Sequence, residues 1–298
     1  MGPDQHGYYI YDSGDLSYTY AHTYDWIEID PTLGGEGSLL DLYDEGNGSP
    51  WTQTPAHLDL PFTFTFYGVD YDEITISSNG YIALGYSEMS SFRNYELPGA
   101  GGPSPMIAAF WDDLVTDDGG GIYSYVNEME GQVIIEWSGI RTDDQNSLES
   151  FQIILIDSIT PTGDDEILLQ YKELNNTSEG EIGSSHSDFN HGHYCTIGIE
   201  NHLGNIGMQY TFNNQYHGAA MELESETALF ITTRLPYSVL LGDVNADDEL
   251  NVLDVLLIVN HILGINSLGG VEMYIADLNQ DGILNIQDII LLISEILE

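Results

Sequence analysis

The chain has 298 residues, 42% of them hydrophobic, enough for one large domain with its own core and a second, small one. Four Lys and Arg face 49 Asp and Glu, a formal net charge of −45, which excludes nucleic acid as a partner because that contact needs basic side chains to displace counterions. The same balance disfavours an anionic membrane surface, favours divalent cations, and fits a secreted protein, extracellular or at the cell surface, in screening salt.

The first residues, MGPDQHGYYIYDSGD, hold neither a basic n-region nor an apolar h-region, so no leader is expected within the sequence. No run of about 18 apolar residues occurs, so no helical membrane span is expected. The single cysteine, Cys195, allows no internal disulfide. Tyr is heavily used, in keeping with a β-rich extracellular domain.

In chain order, the Tyr-rich stretch 8–29 is expected to add edge strands. LPFTFTFYGVDYDEITISSNGYIALG (60–85) holds several short strands. Phe62, Phe64 and Phe66 alternate with threonines, and Ile74 and Ile76 precede the turn signal Asn79-Gly80. GGIYSYVN (120–127) and QVIIEWSGI (132–140) read as a pair. FQIILIDSI (151–159) and EILLQYKEL (166–174) read as another, joined by TPTGDD. YCTIGIEN (194–201), IGMQYTFN (206–213) and ALFITTR (228–234) complete the set. Strands at this spacing predict a mostly β fold, an antiparallel two-sheet β-sandwich over 1–235.

Two polar clusters interrupt the pattern. FWDDL and TDDGGG place Asp112, Asp113, Asp117 and Asp118 close together, as a glycosidase pair, a further calcium site or a solvated turn would. HSDFNHGHYC (186–195) sets His191, His193 and Cys195 in alternation, either a transition-metal face or a polar loop entering a strand, with His186 nearby. Asn47-Gly48-Ser49, Asn175-Asn176-Thr177 and Asn176-Thr177-Ser178 match the glycosylation acceptor pattern. No G-x-S-x-G elbow, H-E-x-x-H or phosphate loop occurs, so no catalytic residue is assigned and the chain is not expected to be an enzyme.

After the short junction LPYSVL the period changes. Residues 243–264 and 277–298 repeat with a 34-residue offset: DVNADDELNVLD against DLNQDGILNIQD, each followed by an apolar helical run. Calcium takes six to eight oxygens, which a 12-residue loop supplies from positions 1, 3, 5, 7, 9 and 12. In the first copy these are Asp243, Asn245, Asp247, the carbonyl of Glu249, Asn251 and Asp254. In the second they are Asp277, Asn279, Asp281, the carbonyl of Ile283, Asn285 and Asp288. Two Ca2+ sites are expected. Gly282 stands at the sharp turn of the second loop and Asp248 at that of the first, so the first is expected to be the weaker or more strained. A helix over 252–263 has nine apolar and three polar positions, and one over 286–297 repeats the pattern. Each has more than one apolar stripe, leaving surface that covers the sandwich or binds another chain. Residues 265–276 are expected to be a connecting loop.

The repeat resembles the type I dockerin module, so 236–298 is taken as a small α-helical dockerin-like domain with EF-hand-type loops. The resemblance implies calcium-dependent folding and docking onto a cohesin-type domain of another protein. It places partner-reading residues at Val252, Leu253, Val259 and Asn260, and at Ile286, Gln287, Ile293 and Ser294. The cellulosomal pattern has Ser/Thr and Lys/Arg there, and this sequence departs from it. LPFTFTFYGVDYDEITISSNGYIALG, PSPMIAAFWDDL, FQIILID, PTGDDEILLQYK and TIGIENHLGNIGMQYTFN are similar to a β-sandwich accessory module of large secreted bacterial proteins, including gingipain-type proteases. The expected function is a secreted structural or adhesive subunit. Its calcium-ordered module joins another protein, a cohesin or a second copy in a filament or matrix. The alternative is a carbohydrate-binding accessory module plugged into a scaffold, for which exposed Trp or Tyr platforms would speak.

Overall fold

Alternation at period 2 runs through most of the chain, and in the computed structural model it closes into two antiparallel sheets. The structure describes residues 1–15, 18, 20–44, 53–116, 120–142, 147–158, 160, 162–177, 192, 194–235, 240–247, 249–279 and 281–297. The strands are β1 (Tyr9–Asp12), β2 (Ser38–Leu39), β3 (Tyr43–Asp44), β4 (Gln53–Thr54), β5 (Ala56–Phe66), β6 (Val69–Ile76), β7 (Tyr81–Leu84), β8 (Met106–Trp111), β9 (Leu114–Val115), β10 (Gly121–Asn127), β11 (Gln132–Thr142), β12 (Leu148–Ile156), β13 (Glu166–Glu173), β14 (Thr196–Glu200), β15 (Gly207–Phe212), β16 (Gln215–Tyr216) and β17 (Thr227–Thr232). One sheet runs β1-β17-β13-β12-β11-β10-β2, with β9 paired to β11. The other runs β16-β15-β14-β8-β7-β6-β5, and β3 and β4 form a separate ribbon.

The sheets face each other across one core. Phe64 and Phe66, Ile74 and Ile76, Val133, Ile135 and Trp137, and Phe151, Ile153 and Leu155 all point into it at alternate positions. Cys195 is fully buried in the same core, and burial pushes its thiol well above the usual range, so it is an inert packing residue.

Strands β11, β12, β13 and β17 are apolar on both faces because both are covered. Ile134, Ile154, Leu168 and Phe230 point outward, onto Tyr20, Tyr24, Ile27 and Ile29. Stretch 21–30 is therefore not the edge strand expected from its tyrosines; only β1 is, pairing with β17. It is a strap laid across the sheet. A cross-strand row, Glu136, Gln152 and Gln170, holds it by its backbone. The Asp25 amide donates to Gln170 Oε1 (2.8 Å) and Gln170 Nε2 donates back to the Asp25 carbonyl (2.9 Å). Gln152 Nε2 donates to the Ile27 carbonyl (2.5 Å), and the Ile29 amide donates to Glu136 Oε2 (3.2 Å).

The other sheet has its own cover, residues 86–105. The Trp111 indole donates to the Ser91 carbonyl (2.8 Å), and the Gly99 amide donates to Glu200 Oε2 (2.8 Å). Leu97 of this cover packs onto Tyr81, Met106 and Trp111 of the sheet. The turn between β6 and β7 carries Gly80 at φ +77°, where its carbonyl accepts from the Ala109 and Phe110 amides. A Cβ there would overlap the Phe110 carbonyl. Gly80→Ala is expected to destabilise the sandwich by more than about 3 kcal/mol, through left-handed strain and the clash together. A urea-melt midpoint equal to that of the parent would disprove this.

Beyond β17 the chain turns helical: α1 (Val252–Ile262), α2 (Gly270–Ala276) and α3 (Ile286–Leu297). The repeat predicts α1 and α3, with α1 ending one residue earlier than expected. It does not predict α2, placed in what reads as a plain loop. Glu272 caps that helix by accepting from the Gly269 amide (2.7 Å), and Ile275 and Ala276 bury themselves against Ile258, Ile289 and Leu292. The three helices thus have a small core of their own. Among the described residues no helix is long and apolar enough to cross a membrane.

Candidate metal loops and docking face

Each acidic loop is folded by its own side chains before any ion is considered. In the first, Asp243 Oδ1 and Asn245 Oδ1 both accept from the Asp247 amide (3.1 and 3.0 Å). Asp247 Oδ1 accepts from the Glu249 amide (3.0 Å), and Asn251 Nδ2 donates to the Glu249 carbonyl (3.3 Å). In the second loop the corresponding bonds join Asp277, Asn279 and Asp281 (3.3 and 3.0 Å), Asp281 to the Ile283 amide (2.9 Å), and Asn285 Nδ2 to the Ile283 carbonyl (2.9 Å). These are Asx turns, in which a short side chain stands in for backbone and bends the chain back on itself.

The last residue of each loop ties it to the helix. Asn251 Oδ1 accepts from the Leu253 amide (2.8 Å), and Asp254 Oδ2 accepts in return from the Asn251 amide (2.9 Å), a reciprocal cap. Asn285 and Asp288 do the same for α3 (2.8 and 2.9 Å). Asp254 and Asp288 are both fully buried. Asp254 Oδ1 reaches back to the Asn245 amide (3.2 Å), and Asp288 Oδ1 to the Leu278 and Asn279 amides (3.1 and 3.4 Å). Gly282 takes the left-handed conformation expected of it, φ +77°. In the first loop a left-handed residue is Ala246, φ +56°; Asp248 lies outside the described residues.

The donor set fits a hard cation. Residues 241–298 contain 11 Asp and Glu and no Lys or Arg. Among the described residues Asp254 and Asp288 accept from neutral backbone amides and pair with no Lys or Arg. Each set is oxygen only: three carboxylates, two asparagine amides and a carbonyl, the hard-donor mixture calcium prefers. Among the described residues no three or more His, Cys, Asp or Glu converge into a metal cluster by themselves.

The expected partner-reading positions divide by copy. Val252 is 71% exposed, Leu253 and Ile286 are exposed, and so are Gln287, Ile293 and Ser294; Val259 and Asn260 are half-buried. Leu256, Leu263, Ile290 and Leu297, missed in the sequence, extend the same surface at i+4, i+7 and i+11 spacing. Each helix therefore has an inner stripe in the small core and an outer stripe open to solvent. The sandwich does not cover the outer one.

The other clusters are less organised. Asp112 is buried and accepts from the Asp113 amide (2.8 Å) in the turn after β8, while Asp117 and Asp118 lie outside the described residues. His186, His191 and His193 lie outside them too, as do Asn47-Gly48-Ser49, Ser178 and Trp51. Trp111 and Trp137 are fully buried, and Trp26 is half-buried with the Lys172 ammonium 5.3 Å from its ring centre, so none of these three is an open sugar platform.

Comparison with known proteins finds two family models in the chain. Residues 49–236, well over half of it, match the family model described as NIDO related, and residues 241–297 match that of the Dockerin type I domain. No curated protein and no solved structure matches the chain. Type I dockerin domains are calcium-binding modules of protein–protein assembly, and their partners are cohesins.

Proposed function

This chain belongs to the NIDO-related family, and from that premise we propose that its sandwich is a secreted, non-catalytic structural or adhesive body held in place by its C-terminal module, which docks onto a cohesin of another protein. Two calcium ions, one per loop, order the module, with Asp243, Asn245, Asp247, Glu249, Asn251 and Asp254 around one and Asp277, Asn279, Asp281, Ile283, Asn285 and Asp288 around the other. The observation that carries this reading is the outer stripe of α1 and α3. A module of under 60 residues leaves Val252, Leu256, Ile286 and Ile290 in water beside a core that buries the opposite stripe of the same helices. Such surface is kept for a partner.

The test is binding of the full chain to immobilised cohesin domains in calcium and in excess chelator. Capture in calcium, lost on chelation, is the expected result. Equal capture in both, or none by any cohesin, would refute the docking role.

A further inference from the structure

We infer that the α1–α3 face is built for a cohesin whose contact surface is apolar at its centre and ringed by Lys or Arg, and not for a second copy of this chain. The inference rests on the docking role proposed above and names the chemistry of the partner. Two calcium ions would bring the module from −11 to −7, so it stays anionic when loaded. Carboxylates not assigned to calcium stay exposed, those of Glu249 (whose carbonyl alone is assigned to the ion), Glu272 on α2 and Glu295 on α3, and residues 241–298 hold no Lys or Arg. A partner that buries the stripe meets an anionic module with no Lys or Arg of its own, which is unfavourable unless cations on the partner face it.

A second copy cannot supply those cations. The whole chain has four. Lys172 is paired with Glu28 (2.6 Å) and Arg234 with Glu166 (2.7 Å), both within the sandwich. Arg141 is half-buried, which leaves Arg93 as the one well-exposed basic side chain. Two calcium-loaded copies, each near −41, would meet with strong like net charge.

The experiment uses the full chain in calcium and a panel of purified cohesin domains graded by the charge around the face that receives a dockerin, titrated at low and high salt. Cohesins with basic rims are expected to bind at least tenfold more tightly than those with acidic rims, with the margin shrinking as salt screens it. Val252→Ser with Ile286→Ser should weaken the tight complex tenfold or more at unchanged helical circular dichroism. A preference for acidic rims, or no dependence on rim charge, overturns this inference and leaves docking standing. Binding to no cohesin removes both. Calcium-driven growth of the chain alone in sedimentation velocity also overturns the inference.

Discussion

Asp288→Ala is expected to unfold the helical module of the calcium-loaded chain while leaving the sandwich folded. The Asp288 carboxylate is fully buried and accepts from three backbone amides, those of Leu278, Asn279 and Asn285. Truncation leaves those donors without a partner, opens a void and removes the link between loop and helix. Together these cost about 2–4 kcal/mol. A module of this size draws only about 3–5 kcal/mol from its core, so a loss of that order is enough to unfold it. All four tryptophans stand at or before position 137 and none in the helical module, so their fluorescence does not report the module, while helical circular dichroism at 222 nm does. The expected pattern is a lost helical signal, lost calcium-dependent capture and an unchanged tryptophan transition. Retained helix in the variant would mean that the loop holds without its last carboxylate. Asp254→Ala should act the same way through the first loop.

The sandwich should be most stable near pH 5 and lose about 3–5 kcal/mol by pH 8. Burial pushes Glu136 from an ordinary 4.5 to about 7, against the opposing hydrogen bond from Gln152. Burial likewise lifts Glu149 to about 7, against the Asn175 and Asn176 amides. The folded chain thus keeps protons that the unfolded chain has already released above about pH 4.5. The contribution of these two groups is complete below that value and drains as pH rises through about 7. Asp165, raised by burial to about 6, and His6, raised chiefly by its hydrogen bond to Asp164, act in the same direction. Burial pushes Glu28 up, but its hydrogen bonds from Lys172 and the Asp30 amide more than offset this and hold it low; its contribution is lost only at more acid pH. A proton on Glu136 also suits its surroundings. Among the described residues Glu136 Oε1 and Gln152 Oε1, on paired strands under the strap, have no donor, and protonation turns one acceptor into a donor. Urea melts read by tryptophan fluorescence from pH 5 to pH 8 check this, and Glu136→Gln with Glu149→Gln should flatten the slope. Stability that is level or rises towards pH 8 would contradict it.

Much of the architecture was legible because its causes are local. Alternation such as Phe62, Phe64, Phe66 follows from the pleat of a strand, whatever its neighbours are. The 34-residue repeat is legible for the same reason. Asx turns, a left-handed glycine and a cap three residues on are all settled within a dozen residues, so Asp277 to Asp288 reads as a loop before any packing is known. Helix α2 was missed because its stability comes from Ile275 and Ala276 burying against the other two helices, not from its seven residues.

Composition and local pattern determined that this protein is a β-sandwich followed by two calcium-type loops and helices, and that both are strongly anionic. They could not say which apolar residues were left over, because that depends on which stripe the core takes up. Ile289 and Ile290 are adjacent and chemically identical, yet one is buried and the other is 57% exposed. Nor could they show that the tyrosine-rich stretch is a strap held by Glu136, since that hydrogen bond joins residues 107 apart. Short-range sterics are written into neighbouring residues. Burial, unpaired carboxylates and open faces arise only when distant segments meet, and in this chain they set both the pH response and the docking face.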